Sequence, residues 1–272
     1  MNDDEIKGAM VTAAVEVAKE GAMEFYKDGA KGAVVEAGGA LKTLVGFVNN
    51  VVFHPIAKAN LHFKYNLIAF ERDLKEKIDK IPEGKVVEPP LVIAGPTVEA
   101  LKYTFDTKEL REMYLNLLST AMNEDTQSNA HPAFVEIIKG MSPLDVRIFT
   151  ELVFKNNLAF SLPELRGKIH GEEKVLLNAF PRFYVPDLFS LGDPNSVSKS
   201  ITNLCRLGVA QSSITRWKIG YDYEAHRTHE YLLNILEDTR VKFPNATSKI
   251  HISKGLVEVN DLGIALGKCC IG

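Results

Sequence analysis

Residues 107–145, TKELREMYLNLLSTAMNEDTQSNAHPAFVEIIKGMSPLD, decide how the rest of the chain is read. Leu110, Met113, Tyr114, Leu117, Leu118 and Ala121 recur at helical spacing, so one face of a helix is apolar. Thr107 stands where an N-cap belongs, and Glu109 and Glu112 place carboxylates in the early turns, where the helix dipole favours them. The polar run Asn123 to Asn129 breaks the pattern. His131-Pro132 then opens a second helix over Phe134 to Lys139, ended by Gly140, and Ser142-Pro143 starts a third. The stretch reads as a helical nucleus without a catalytic constellation.

The order LREMYLNLLSTAM followed by HPAFVEIIKGMSPLD resembles the Abi-alpha family of bacterial abortive-infection proteins. Tyr114, Leu118, His131, Pro132, Phe134, Ser142, Pro143 and Asp145 carry the resemblance, which extends over most of the chain. These positions read as structural. The family implies a role in phage defence and supplies no catalytic residues to carry over.

Composition sets the frame for that reading. A chain of 272 residues, 46% hydrophobic and 25% charged, has ample core for one large domain or two. The formal net charge of -3 argues against wholesale coating of nucleic acid. Cys205, Cys269 and Cys270 offer no CxxC spacing and read as reduced thiols. MNDDEIKGAM is acidic from the outset and lacks the basic start of a secretion signal, so a cytoplasmic protein is expected.

Outward from the nucleus, residues 1–141 read as a helical domain. Ala14, Ala18 and Ala22, and again Gly29, Ala33 and Ala37, form ridges that admit a close helix neighbour, with a bend at Gly38-Gly39. A further helix carries Phe63, Leu67, Phe70, Leu74 and Ile78 on one face. The connector that follows, rich in Pro and Gly, holds Leu91-Val92-Ile93 as an extended piece, before a short helix from Pro96 to Phe105 with Val98 and Leu101 inward.

Residues 142–272 read as a winged-helix-like domain. A helix from Ser142 to Lys155 precedes a short helix starting at Ser161-Leu162-Pro163-Glu164-Leu165. A third runs from Asp193-Pro194 through Leu207 and stops at Gly208. Ile250 to Ile252 and Leu256 to Val259 then form a short β-hairpin around Ser253-Lys254-Gly255, and a closing helix starts at Asp261 or Leu262. Two insertions, near 170–192 and 220–245, interrupt that plan. The expected fold class is mainly α with one short hairpin.

Three constellations invite function. Lys199, Asn203 and Arg206 line one stripe of the 194–207 helix, and these residue types read guanine and adenine in a major groove. The alternative is a solvated face, consistent with 16 Lys/Arg against 14 Asp/Glu over 142–272. Asp222, His226, His229 and Glu230 resemble a metal set, but spacing secures no third or fourth ligand, so they read as polar loop residues. His131 reads as a helix-start residue bonded to a nearby carbonyl or carboxylate.

No phosphate-binding loop, GxSxG elbow or HExxH occurs in the sequence. No enzyme, metal or cofactor is expected. The expectation is an antiphage protein that binds a phage or host component, whether protein, nucleic acid or a second copy of itself. A DNA-binding winged-helix regulator is the rival. A membrane-perturbing effector using Ala33 to Ala57 is the second, although the longest run free of charge, Thr43 to Ala57, is only 15 residues.

Overall fold

A computed structural model of the chain describes residues 39, 46, 61–169, 172–177, 181–244 and 247–271. The small-residue ridges, the bend at Gly38-Gly39 and, but for Gly39 and Gly46, the Ala33–Ala57 segment lie outside the described residues. The chain divides into two compact units, Met1–Glu136 and Ile137–Gly272.

In the first unit, α1 (Leu61–Ile78) and α2 (Leu91–Thr104) each pack on α3 (Lys108–Ala121). Phe70, Leu74 and Ile78, spaced by four, put one face of α1 in the core. The whole expected stripe of α3 is buried, from Leu110 to Ala121. Phe105 meets Phe70 edge-on at 6.0 Å, and Lys77 reaches Glu112 at 2.9 Å. The connector between α1 and α2 clips onto the end of α3: Val87 N–H donates to the Met122 carbonyl at 2.8 Å and Glu124 N–H to the Lys85 carbonyl at 2.9 Å. Leu91-Val92-Ile93 is helical rather than extended; α2 starts there, behind Pro90, and carries Pro96 inside it. Val98 and Leu101 are buried. The boundary between the units falls inside α4 (Ala133–Lys139).

The second unit overturns the expected class. It is a mixed α/β arrangement, with a four-stranded antiparallel sheet ordered β2-β1-β4-β3, rather than an α fold with a hairpin. The elements run α5 (Pro143–Lys155), β1 (Asn157–Ile169), β2 (Glu172–Leu177), α6 (Pro194–Arg206), β3 (Ala210–Ser213), α7 (Glu230–Lys242), β4 (Thr247–Val259) and α8 (Asp261–Cys270). Asn156, at φ 60°, ends α5 and turns the chain into β1. The central ladder runs from Asn157 opposite Glu258 to Lys168 opposite Thr247.

Two residues explain why the strands escaped notice. Gly255 lies opposite Phe160, and a Cβ there would enter the Phe160 ring. Its glycine admits an aromatic face to the backbone instead of making a turn, so β4 runs straight through Ser253-Lys254-Gly255. Pro163 sits in β1 rather than at a helix start. It falls between the Ser161–Tyr184 bridge and the β2 pairing that begins at Leu165, so a missing N–H costs no ladder bond on that side. With no wing hairpin, and with strand β1 where the short helix from Ser161 was expected, the winged-helix reading fails, and the DNA-regulator alternative built on it has no scaffold.

Within this unit α7 covers the sheet, placing Leu232 and Leu236 on Ala159, Leu165, Ile250 and Ile252. The inward stripe of α6, Val197, Ile201 and Leu204, is fully buried. Gly208, at φ 75°, follows that helix as expected of a C-terminal glycine. Among the described residues no helix is long and apolar enough to cross a membrane.

Candidate functional site

Of the motif residues, His131, Ser142, Pro143 and Asp145 build helix starts. Ser142 and Asp145 form a reciprocal cap: Asp145 N–H donates to Ser142 Oγ at 3.2 Å, and Ser142 N–H to Asp145 Oδ2 at 2.6 Å. Pro143 occupies the first turn, where its absent N–H is harmless. His131 Nδ1 accepts the Ala133 N–H at 3.1 Å, with its ring 5.8 Å from Phe134, so this histidine caps by accepting rather than donating. Tyr114, Leu118 and Phe134 are buried in the core, while Pro132 is exposed before α4.

Of the stripe Lys199, Asn203 and Arg206, the last two are committed locally. Asn203 Nδ2 donates to the Gly140 carbonyl at 2.9 Å and to Asp145 Oδ2 at 3.0 Å. Asn203 Oδ1 accepts two bonds from Arg206, at 2.9 and 2.8 Å. The amide therefore ties α6 to the α5 cap, with both of its ends occupied. Lys199 borders a cleft of about 320 Å³ beside Ser142, Ser196 and Ser200.

Among the described residues no group of three or more His, Cys, Asp or Glu could hold a metal ion, Asp222, His226, His229 and Glu230 included. Asp222 Oδ1 caps the following turn through the Glu224 and Ala225 N–H groups, at 3.0 and 3.2 Å. Glu230 is exposed. The two histidines are not loop decoration but parts of a cluster of Tyr184, Tyr221, Tyr223, Tyr231, His226, His229 and Phe189.

That cluster holds a relay that runs from the buried Ser161 to the exposed Asp187. Ser161 Oγ lies 2.6 Å from His226 Nδ1, His226 Nε2 lies 3.1 Å from the Tyr221 hydroxyl, and Tyr221 donates to Asp187 Oδ1 at 2.8 Å. Because the Tyr221 proton goes to Asp187, Tyr221 oxygen accepts from His226 Nε2–H, which leaves Nδ1 to accept from Ser161. Burial pushes the His226 imidazole below its ordinary 6.5, against the pull of the Asp187 carboxylate, so it is neutral at pH 7. Burial and Asp187 together raise the Tyr221 phenol well above its ordinary value.

Next to the relay, His229 Nδ1 accepts from the Tyr184 hydroxyl at 2.8 Å and from the Tyr231 N–H at 3.3 Å, capping α7. Burial raises the Tyr184 phenol. A second cleft, also about 320 Å³, is walled by Phe189, Asp193, His229, Tyr231 and Asn234. Hydrogen bonds from Ser196 hold Asp193, on its rim, below the usual carboxylate range.

A histidine accepting from a serine is the pairing that activates a hydroxyl nucleophile. Here Ser161 exposes none of its surface, and its N–H and carbonyl are both bonded to Tyr184, at 2.9 and 3.0 Å. The pair fastens β1 to the 3-10 turn Glu224–Thr228. The sequence signal for it was the aromatic run Tyr221, Tyr223, His226, His229, Tyr231; its partner Ser161 lies 65 residues from His226.

Exposed apolar surface gathers elsewhere, in the loop after β3. Ile214, Trp217 and Ile219 are 65%, 55% and 93% exposed. Ser213 Oγ accepts the Thr215 and Arg216 N–H groups, both at 3.2 Å, and Arg216 pairs with Glu258 of β4. Lys218 N–H donates to the Tyr223 hydroxyl at 2.9 Å, which donates to the Gly255 carbonyl at 3.1 Å. The loop is thus tied at both ends with its apolar side chains outward.

The cysteines are free thiols. Burial raises the half-buried Cys205 and the buried Cys270 above the ordinary thiol range, which suits unreactive thiols.

No curated protein and no solved structure matches the chain. The family model described as abortive infection alpha matches residues 62–270, a span that takes in α3, the Ser142–Asp145 cap, the whole sheet and the 214–219 loop. The chain belongs to the abortive infection alpha family.

Proposed function

We propose that the protein serves abortive-infection defence by binding a partner rather than by turning over a substrate, and that the 214–219 loop is the contacting surface. The observation that carries this reading is the outward exposure of Ile214, Trp217 and Ile219 on a loop whose backbone is tied down at both ends. Exposing large apolar side chains together on a braced loop brings no folding gain, and such surfaces mark interaction sites. Trp is also prominent among residues that dominate binding energy. The polar groups with catalytic pairings point the other way. Ser161 and His226 are buried and serve each other, and Asn203 and Arg206 are bonded within α6 and to the α5 cap.

Phage plating separates binding from catalysis. Cells carrying the Trp217→Ala, Ile219→Asp variant are expected to lose protection, while Ser161→Ala retains it in proportion to the folded protein present. A Ser161→Ala protein that is folded and abundant yet gives no protection would assign the relay to chemistry.

A further inference from the structure

We infer that the 214–219 loop docks on an anionic membrane surface, with Trp217, Ile214 and Ile219 entering the interface and Lys218 and Lys254 meeting lipid headgroups. This rests on the proposed binding role and names its partner.

The composition of the loop favours lipid over the other surfaces a protein could meet. Ile219 is 93% exposed and Ile214 65% exposed, and a branched aliphatic side chain gains most from an acyl environment. Trp217 sits between them in sequence, and an indole suits the boundary between headgroup and hydrocarbon. Stacking on nucleic-acid bases would use the indole but leave both isoleucines in water. A stable protein interface calls for about 800 Å² per partner, more than three side chains of one short loop supply. Shallow insertion into a bilayer has no such minimum, because lipids close around whatever apolar group enters.

The charges lie where such docking needs them. Lys218 and Lys254 are exposed, and Tyr223 connects them: its hydroxyl accepts the Lys218 N–H, and Lys254 Nζ lies 5.5 Å from its ring centroid. Lys218 thus lies within the apolar loop itself, and the Lys254 ammonium lies over the ring that anchors the loop backbone, so two exposed lysines accompany the apolar side chains. Of the carboxylates nearby, Glu258 pairs with Arg216 and Glu224 with Arg227, while Asp222 accepts backbone N–H groups of the Glu224–Thr228 turn. The Arg216–Glu258 pair braces the loop against β4, so little loop entropy is lost on insertion.

Trp217 is the sole tryptophan of the chain and reports on its own burial. The experiment adds mixed phosphatidylcholine–phosphatidylglycerol vesicles to the full-length protein and follows tryptophan emission. The expected result is a blue shift, quenching by lipids brominated in the acyl chain, and loss of both with pure phosphatidylcholine or in high salt. Lys218→Ala is expected to weaken vesicle partitioning roughly fivefold, the worth of one lysine near an anionic surface. Circular dichroism of each variant confirms that the fold is retained.

Emission unchanged by anionic vesicles at low salt overturns the lipid assignment, as does a shift equal on neutral and anionic vesicles. A shift produced by single-stranded oligonucleotide or by a protein, but not by vesicles, also overturns it. The two proposals fail separately. If vesicles leave Trp217 unshifted while Trp217→Ala, Ile219→Asp still abolishes protection, the binding role stands without the membrane. If Trp217 inserts while that variant protects as wild type does, membrane docking stands without the defence role.

Discussion

Ser161, in the middle of β1, and His226, in a single 3-10 turn 65 residues later, meet at 2.6 Å with both side chains buried. The bond is a structural clamp between the sheet and the segment that leads into α7. Replacing Ser161 by Ala leaves His226 Nδ1 without its partner in an apolar surround. The expected loss of stability is about 1–3 kcal/mol, the desolvation cost of an unsatisfied buried group, read from the urea midpoint. A variant as stable as wild type would show that the clamp contributes nothing.

The same histidine sets a pH dependence. Burial holds His226 below its ordinary 6.5, so the unfolded chain binds its proton before the folded chain does. Its stabilising effect is therefore complete above pH about 6.5 and declines as pH falls through that value toward the lower folded pKa. Urea titrations between pH 5 and about 8 are expected to show this loss on the acid side, above the range where carboxylates titrate. His226→Asn should flatten the slope in that window. An unchanged slope would place the dependence on another group.

Asp145 and Asn203 form a second clamp, between the α5 cap and α6, with Arg206 fixing the far side of the amide. Asp145→Ala removes a cap and a buried acceptor together, at an expected cost of about 1–3 kcal/mol. Because the two residues share one bond, the double variant with Asn203→Ala should be less destabilised than the sum of the singles. A coupling energy of about 0.5–3 kcal/mol in a double-mutant cycle is expected, and strict additivity would contradict the contact.

Gly263 in α8 lies against the backbone of Val209, where an added methyl would collide with the carbonyl oxygen. Neither backbone can yield without opening α8 from the end of α6. Gly263→Ala is expected to destabilise by about 1–3 kcal/mol despite the better helix propensity of alanine. Thermal unfolding of this single variant decides whether packing or propensity prevails.

Legibility in the sequence followed the range of the interactions. The α3 stripe, the Ser142–Asp145 cap, the Asp193-Pro194 helix start, the stop at Gly208 and the start of α8 near Asp261 rest on neighbours within one or two turns, and each lies where its residues indicated. The sheet depends on partners far away. Gly255 looks like a turn until Phe160 is placed over it, and Pro163 like a helix start until the gap between Tyr184 and Leu165 is seen. The same limit hid the relay. His226 and His229 read as polar loop residues because neither Ser161 nor Tyr184 adjoins them in the chain.

Defence through the 214–219 surface is read from the plating efficiency of phage on cells carrying the Trp217→Ala, Ile219→Asp protein. Both side chains are exposed, so stability is expected within about 0.5 kcal/mol of wild type and expression unchanged. Cells carrying this folded, abundant variant are expected to be infected as readily as cells lacking the protein, across any phage that the wild-type protein restricts. Undiminished protection by the variant would contradict defence through this surface.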